Sequence, residues 1–233
     1  MISKIWDLML NCIPPDRLVM LARHAESEKN ILDYHGHSDL DHPLTPSGLS
    51  CARDFGRLLR RRIVLAELVA SSSLSSRQTA MAIAESHHIG GVQIHEQLHA
   101  VGMGIIAGLT DSEVKAQFPH IHEQLRMFQE GVLHPKDLEI PGRESFMDFA
   151  TRIHAEINFL TSRARPLLVI AHHSTLNMLM HVAAVTDGRF DNAPYQRFQF
   201  PNLSVTLIEI GDNRNECWQI RGVALVPDAV EEW

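Results

Sequence analysis

Apolar runs of strand length alternate with longer amphipathic segments through most of the chain. Two of these runs, residues 18–22 and 166–171, are apolar throughout, which is typical of strands buried on both faces of a sheet. The predicted strands are 18–22, 65–70, 92–94, 166–171, 204–210 and 217–223, with a turn at 211–213. One helix is predicted to start at Pro46, with Thr45 as its N-cap. Three further helices are predicted at 77–86, 144–160 and 176–185.

The alternation of strands with helices predicts the fold class. Strands that are separated by helices form a parallel or mixed sheet that is covered on both faces. We therefore expect an α/β three-layer sandwich with a mostly parallel central sheet flanked by helices. No repeat, low-complexity tract or linker divides the sequence. Residues 1–233 are thus predicted as one domain, of which residues 1–15 form an N-terminal extension.

Polar clusters follow two of the predicted strands at the point where each strand ends. Arg23 and His24 come directly after residues 18–22, and His172 and His173 come after residues 166–171. In sheets of this kind, ligands bind outside the carboxyl ends of the strands. We expect the functional site to lie at this edge of the sheet.

The first ten residues are apolar with helical spacing, so they need to be distinguished from a membrane anchor. Lys4 and Asp7 interrupt the apolar pattern, and Pro14 and Pro15 end it before the length of a signal peptide is reached. The segment is interpreted as a short helix that packs on the domain or on a partner subunit. With no export signal in the sequence, we expect a cytoplasmic protein.

Charge and cysteine content narrow the classes of partner. The formal net charge is −7, which disfavours binding to nucleic acid or to an anionic membrane surface. An anionic substrate would therefore have to be captured by a local cationic pocket. The three cysteines have no paired spacing, so neither a disulfide framework nor a zinc cluster is expected.

Fifteen histidines raise the question of a metal site. The densest group combines histidines and aspartates of one segment, namely His35, His37, Asp39, Asp41 and His42. No cysteine or second histidine pair has the spacing of structural zinc ligands. The segment is interpreted as a polar loop facing the substrate, and no metal is expected.

The pair formed by Arg23 and His24 suggests phosphoryl chemistry. A neutral imidazole is a capable nucleophile toward phosphorus, and its attack divides one difficult displacement into two easier ones. The negative charge of the phosphoryl group is stabilised by arginine and by N–H donors. On this evidence alone, a surface Arg-His pair at a strand end remains an equal alternative.

Seven segments, taken in order, resemble motifs of the histidine phosphatase (phosphoglycerate-mutase-like) superfamily, and in particular of its phosphatase branch. The mutases fit less well, because their Tyr-Gly segment and longer insertion are not found in this sequence. The resembling segments are residues 21–30 (LARHAESEKN), Gly36-His37 with 44–48, 78–80 (QTA), 104–110, 141–145 (PGRES), 169–172 (VIAH) and 202–205.

The resemblance implies roles for the residues that match these motifs. His24 would be the nucleophile and Arg23 a phosphate ligand. His172 would be a second histidine that contacts the transferring phosphoryl group, and Asn30 would donate a hydrogen bond to it. No metal or other cofactor is needed in this family, because the arginine and histidine cage supplies the electrostatic stabilisation.

The sequence departs from the family pattern where a second arginine is expected, since this position holds Ser75. Arg77 is two residues before Thr79 and is predicted to take over the phosphate contact. The alternative is that Arg77 is a solvated helix residue and that the serines of residues 71–76 line the pocket. The sequence of residues 71–79 does not decide between these two interpretations of Arg77.

The position of the general acid also departs from the family pattern, because it holds Ala100 instead of glutamate. Protonation of the leaving alcohol normally contributes about 10²–10⁴-fold to the rate. His99 and Glu26 are the main candidates for a replacement acid, with Glu96 as a further option. His173 stands where a related branch has an acidic residue, and it is predicted to bind substrate or to supply a proton.

Together these features predict a phosphomonoesterase that hydrolyses a small phosphorylated metabolite through phospho-His24. The alternative is a non-catalytic or repurposed family member that binds an anionic ligand or performs another group transfer. Residues 31–43 and 100–140 are the loops expected to set specificity, so the sequence does not name the substrate. A homodimer is compatible with the sequence.

Overall fold

The computed structural model describes residues 2–36, 42–87, 89–185, 188–211 and 218–226. In chain order, their helices and strands are α1 (Ile2–Asn11), β1 (Leu18–Arg23), α2 (Glu28–Leu32), α3 (Pro46–Arg60), β2 (Glu67–Ser71), α4 (Leu74–His87), β3 (Gln93–His95), α5 (Asp111–Gln117), α6 (Pro119–Gln129), α7 (Phe146–Thr161), β4 (Leu167–Ala171), α8 (His173–Ala184), β5 (Val205–Glu209) and β6 (Gln219–Leu225).

The strands form one sheet in the order β3-β2-β4-β1-β5-β6. β1 and β4, β2 and β4, and β2 and β3 pair in parallel, whereas β5 is antiparallel to both β1 and β6. The predicted α/β class with a mostly parallel sheet is confirmed. Most of the predicted turn at 211–213, together with Cys217 at the predicted start of the last strand, lies outside the described residues.

The sheet is buried on both faces, which explains the uninterrupted apolar runs of its central strands. Side chains alternate between the two faces of a strand. Leu18, Met20 and Ala22 of β1 therefore pack with α1, α3 and α4, whereas Val19 and Leu21 pack with α7 and α8. β4 alternates in the same way between the two hydrophobic clusters.

The first helix packs against the sheet layer, as predicted for a short amphipathic segment. Trp6 and Leu10 are buried in the same cluster as α3 and α4, and Asp7 forms an ion pair with Arg62. None of the described helices is long and apolar enough to cross a bilayer.

Residues 100–140 are more regular than the sequence pattern predicts. α5 begins after Thr110, whose side chain and that of Glu113 form a reciprocal capping box, and α6 begins at Pro119. The apolar residues of this region form a third buried cluster, which includes Ile106, Val114, Ile121 and Leu125. The segment is thus a small helical layer with its own core, not an irregular loop.

Candidate functional site

The register of the central strands brings their polar ends together. Arg23 of β1 is paired with Ala171 of β4, and Ala70 of β2 is paired with Ile170 of β4. The residues that come next along each strand, His24, His172 and Ser71, consequently lie at one edge of the sheet. Both histidine clusters predicted for this edge are found there.

His24 is held in the form that a nucleophile requires. Its backbone N–H donates to Ala171 O (3.0 Å), and its side chain is only 6% exposed. Nδ1 donates to Ala25 O over 2.7 Å, and because a carbonyl oxygen can only accept, this contact places the proton on Nδ1. Nε2 is left with a free lone pair.

The electrostatic environment keeps His24 neutral. Burial, followed by the positive charge of Arg23, lowers the pKa of His24 to about 3, although the hydrogen bond to Ala25 opposes this shift. The imidazole therefore stays unprotonated throughout the physiological pH range. A neutral ring next to a cation can attack an anionic phosphoryl group that the same cation attracts.

Arg23 carries the fixed positive charge of the site. Its Nη1 donates to Phe200 O over 2.7 Å, and its Nε is buried with no hydrogen-bond partner among the described residues. Burial lowers the pKa of Arg23 to about 10, so the guanidinium remains charged at neutral pH. The group is anchored at one end and has donors left for a ligand.

Asn30 ties the start of α2 to the His24 backbone through Asn202. Its Oδ1 accepts hydrogen bonds from the Ser27 backbone (3.0 Å), the Ser27 hydroxyl (3.1 Å) and Asn202 Nδ2 (3.2 Å). Asn202 Nδ2 also donates to His24 O over 2.8 Å. Within the described part of the chain, the side-chain hydrogen bonds of Asn30 all use Oδ1, so its Nδ2 hydrogens remain available to a phosphate oxygen in the cavity.

His172 stands edge-to-face with His24, with ring centroids 5.2 Å apart. Its Nε2 is hydrogen-bonded to Ser71 Oγ at 2.7 Å. From there a row of hydroxyls continues through Ser73 to Ser75, with 3.3 Å between successive oxygens. The serines expected to line the pocket in place of the second arginine thus form a connected row that begins at His172.

A cavity of about 580 Å³ opens over this edge of the sheet. Its lining combines the sheet-edge residues with side chains from α2, α6, α8 and residues 99–103, 135–143 and 195–197. Among the described residues, the charged side chains of its lining are four cations, Arg23, Lys29, Arg143 and Arg197, and one carboxylate, Asp33. A chain with a net charge of −7 therefore presents a cationic pocket, as anion capture requires.

Arg77 is not among the described residues that line the cavity, and its contact with phosphate stays a prediction. Ser73 and Ser75 occupy the cavity wall at the start of α4. Two residues correspond to about 200° of rotation around a helix, so Ser75 and Arg77 start from nearly opposite sides of α4.

The neighbouring Gln-Thr-Ala motif has a structural role that the sequence did not reveal. Gln78 accepts a hydrogen bond from Leu44 N (2.7 Å), and Thr79 accepts one from Ala25 N (3.0 Å). These contacts bind α4 to the segment that carries His24.

The candidate acids differ in their placement. His99 and His173 line the cavity next to Ala100, whereas Glu26 and Glu96 do not. Glu26 instead accepts a hydrogen bond from the Thr45 hydroxyl (2.8 Å), beside the start of α3. Burial, with the charges of Arg23 and Arg197, lowers the pKa of His173 to about 4, so this ring is a poor proton donor at neutral pH.

Lys29 is a cavity residue that the sequence motifs do not single out. It follows the motif serine by two residues and lines the same cavity as Arg23 and His24. Burial, and then the charge of Arg23, lowers its pKa to about 8. No carboxylate of the described part of the chain forms an ion pair with it. Its only sequence signal is its position between Ser27 and Asn30 of the motif.

The histidine-rich loop is described only in part, since His37, Asp39 and Asp41 lie outside the described residues. His35 and His42 line the cavity, as predicted for a substrate-facing segment. His35 Nε2 contacts Asp111 Oδ1 (3.3 Å), and His122 Nε2 contacts Asp111 Oδ2 (3.1 Å), which ties the loop to α5.

The chain is similar to known proteins in both sequence and fold. A family model for the histidine phosphatase superfamily (branch 1) matches residues 19–221. The 2,3-bisphosphoglycerate-dependent phosphoglycerate mutase of Methylorubrum extorquens (strain PA1) is 30% identical over 178 residues, covering 72% of this chain and 79% of that protein.

Two solved structures have a similar fold. A mycobacterial glucosyl-3-phosphoglycerate phosphatase in complex with VO3 matches with a TM-score of 0.70 at 19% identity, covering 88% of this chain and 97% of that chain. A mutant phosphoserine phosphatase from Entamoeba histolytica in complex with phosphoserine matches with a TM-score of 0.66 at 16% identity, covering 88% and 95%. At these identities, the likeness concerns the fold alone.

Proposed function

Since this chain belongs to the histidine phosphatase superfamily (branch 1), we propose that it hydrolyses phosphomonoesters of small metabolites through a phosphohistidine on His24. The observation that carries the proposal is the state of His24: buried, neutral, protonated on Nδ1 and placed beside Arg23. Metabolite phosphatases among the structural neighbours support the substrate class by analogy of fold.

The reaction proceeds in two displacements. Nε2 of His24 uses its lone pair to form a bond to phosphorus, while the bond from phosphorus to the ester oxygen breaks and the alkoxide leaves with that electron pair. Water then attacks the phosphohistidine and returns the imidazole and inorganic phosphate. Each step keeps Nδ1 protonated, because its hydrogen bond to Ala25 O is independent of the phosphoryl group.

The phosphoryl oxygens are held by donors at the sheet edge. We assign Arg23, Asn30 and His172 to this set of donors, which we call the phosphate cage. His173 lies next to the cage, and its ring is neutral. Lys29 supplies the second positive charge that the family takes from the arginine replaced here by Ser75. This assignment rests on Lys29 and Arg23 lining the same cavity and on the electrostatic influence of both on His24.

The proposal is tested by trapping the intermediate. Incubation of the enzyme with a ³²P-labelled aryl phosphate in the presence of a chelator, followed by rapid denaturation, is expected to leave label on the protein. The bond should be labile to acid and stable to alkali, as a phosphoramidate is. An aryl oxide leaves without protonation, so the experiment depends on the nucleophile and the cage only.

Two results would contradict the proposal: no label at any time point while phosphate analogues bind, or label in an acid-stable ester on a hydroxyl group. The first would leave an anion-binding protein, and the second a different nucleophile.

The role of Lys29 predicts a pH dependence on the alkaline side. With a pKa near 8, Lys29 is cationic below that pH and loses its charge as the pH rises through it. We expect kcat/KM for an aryl phosphate to fall by about 10-fold between pH 7 and 9, because one charge-assisted contact to phosphate is lost. Lys29→Arg should move this decline above pH 10, since arginine stays protonated.

Lys29→Met is the matched control, since it removes the charge at every pH. It should lower kcat/KM at pH 7 by a similar factor and remove the decline. A wild-type profile that stays flat to pH 9.5 would exclude Lys29 from the phosphate cage.

A group-transfer reaction is a second candidate, favoured by the mutase among the sequence relatives. In that reaction the phosphohistidine would pass its phosphoryl group to a hydroxyl of a second metabolite instead of to water. Measuring inorganic phosphate and transferred phosphate together separates the two. A single-turnover reaction that releases one phosphate per labelled enzyme in buffer alone supports hydrolysis.

A further inference from the structure

Two arginines in the cavity wall have no role in the phosphate cage. Arg143 follows the turn at residues 140–142, and Arg197 precedes Phe198 in the segment that leads to β5. Neither forms an ion pair with a carboxylate of the described residues. The Nε of Arg143 is buried and has no hydrogen-bond partner there.

Glu144, which follows Arg143 in the chain, does not form an ion pair with it. Glu144 is held by Arg152 through both oxygens, at 2.9 and 2.8 Å. Burial lowers the pKa of Arg143, with only partial compensation from Glu144 and Tyr195. A guanidinium that is desolvated without a counter-charge is costly, and an anion that enters the cavity would offset this cost.

Arg197 lies against an aromatic wall. Its guanidinium carbon is 5.7 Å from the centre of the Phe128 ring. Tyr195 lies beside Phe128 and Phe146, at 6.3 and 5.9 Å between ring centres. Burial lowers the pKa of Arg197, and the neighbouring Tyr195 hydroxyl is uncharged at neutral pH because burial raises its own pKa. The wall thus offers a planar apolar surface with cations at its border.

The arginines and the phosphate cage belong to one cavity. His173 lies within electrostatic reach of both Arg23 and Arg197, whose charges lower its pKa. The volume of about 580 Å³ falls within the range of roughly 300–1,000 Å³ that is typical of sites for drug-sized ligands. A phosphoryl group alone fills a small part of it.

From these observations we propose that Arg143 and Arg197 form a second anion subsite, and that the substrate is a phosphomonoester with a further carboxylate or phosphate beyond a planar or apolar segment. The inference rests on the proposed function for the identity of the phosphate end. It accounts for two cations that hydrolysis itself does not use.

The test measures binding, so it does not depend on turnover. Benzylphosphonate, 4-carboxybenzylphosphonate and 4-carbamoylbenzylphosphonate, together with the shorter pair of 3-phosphonopropanoate and its amide, are titrated into the protein by calorimetry. At least one carboxylated probe is expected to bind about 10- to 100-fold more tightly than its uncharged counterpart, the range expected for charge-assisted hydrogen bonds. Arg197→Gln and Arg143→Gln should each remove most of this preference and leave benzylphosphonate affinity unchanged.

Arg221→Gln is the matched control. Arg221 lies on β6 outside the cavity, where it pairs with Glu209 of β5, so the variant removes the same charge and should leave the preference intact. Arg197→Lys keeps the positive charge but loses the planar guanidinium, so it should retain part of the preference for carboxylated probes. Thermal unfolding of each variant verifies that it is folded.

The outcomes separate the subsite from the proposed function. A preference that depends on the two arginines supports the subsite, even if no phosphohistidine forms. Equal affinity for the carboxylated and carbamoyl probes at every spacing would overturn it, and so would a loss of benzylphosphonate binding in the arginine variants. Whether the subsite is supported or overturned, hydrolysis of phenyl phosphate would leave the proposed function standing.

Discussion

His24→Asn is expected to lower kcat for an aryl phosphate by at least about 10⁴-fold, because loss of the nucleophile in an enzyme with a covalent intermediate removes the whole reaction path. Asparagine is chosen because its side-chain amide can keep an N–H near the position of Nδ1, where it donates to Ala25 O. The variant then lacks only Nε2, the atom that would bond to phosphorus. Initial rates and covalent labelling are measured on the same preparation.

His35→Gln is the matched control for this variant. His35 also lines the cavity, but its side chain contacts Asp111 and has no place in the proposed reaction. We expect activity within about three-fold of the wild type, since substitutions outside the reacting groups rarely alter the chemical step strongly. If His24→Asn kept more than about a hundredth of the wild-type rate while folded, another residue would be the nucleophile.

Ala100→Glu is expected to raise the rate of hydrolysis of an alkyl phosphate by about 10- to 100-fold. Ala100 lines the cavity at the position where the family resemblance implies a general-acid glutamate. Protonation of an alkoxide contributes about 10²–10⁴-fold when the acid is well placed, and a glutamate introduced without its supporting contacts should recover part of that. The rate with an aryl phosphate should stay nearly constant, because this leaving group needs no proton.

Ala100→Gln separates proton donation from shape, since it has nearly the same size and cannot act as an acid. It should give no gain with either substrate. If Ala100→Glu also gave no gain with the alkyl phosphate, a group already present, such as His99, would be the proton donor in the native enzyme.

The sheet and its polar edge are predictable because their signal is local. An apolar run such as residues 166–171 forms a buried strand almost wherever it occurs, and the first polar residues after it must lie at the sheet edge. The positions of His24 and His172 at this edge therefore follow from the amino-acid sequence alone. The capping box of Thr110 and Glu113 is a local signal of the same kind, which the prediction of a loop at residues 100–140 overlooked.

The part of the cavity that Arg143 and Arg197 line is not predictable in this way. Arg143 and Arg197 are separated by 53 intervening residues, and nothing in either segment indicates that the two meet one aromatic wall. Which of Ser75 and Arg77 faces the site depends on the phase of α4, and therefore on where that helix begins. The sequence pattern predicts a start at residue 77, three residues after the observed start at Leu74.

The hydrogen bonds of Asn202 have a consequence for the newly made protein. Asn202 reaches back to His24 and Asn30, and β4 lies between β1 and β2, so the nucleophile is completed by segments translated long after it. A nascent chain with only its first 160 residues has His24 but neither His172 nor Asn202. The residues that the proposed activity needs therefore come together only after residue 202 has been added to the chain.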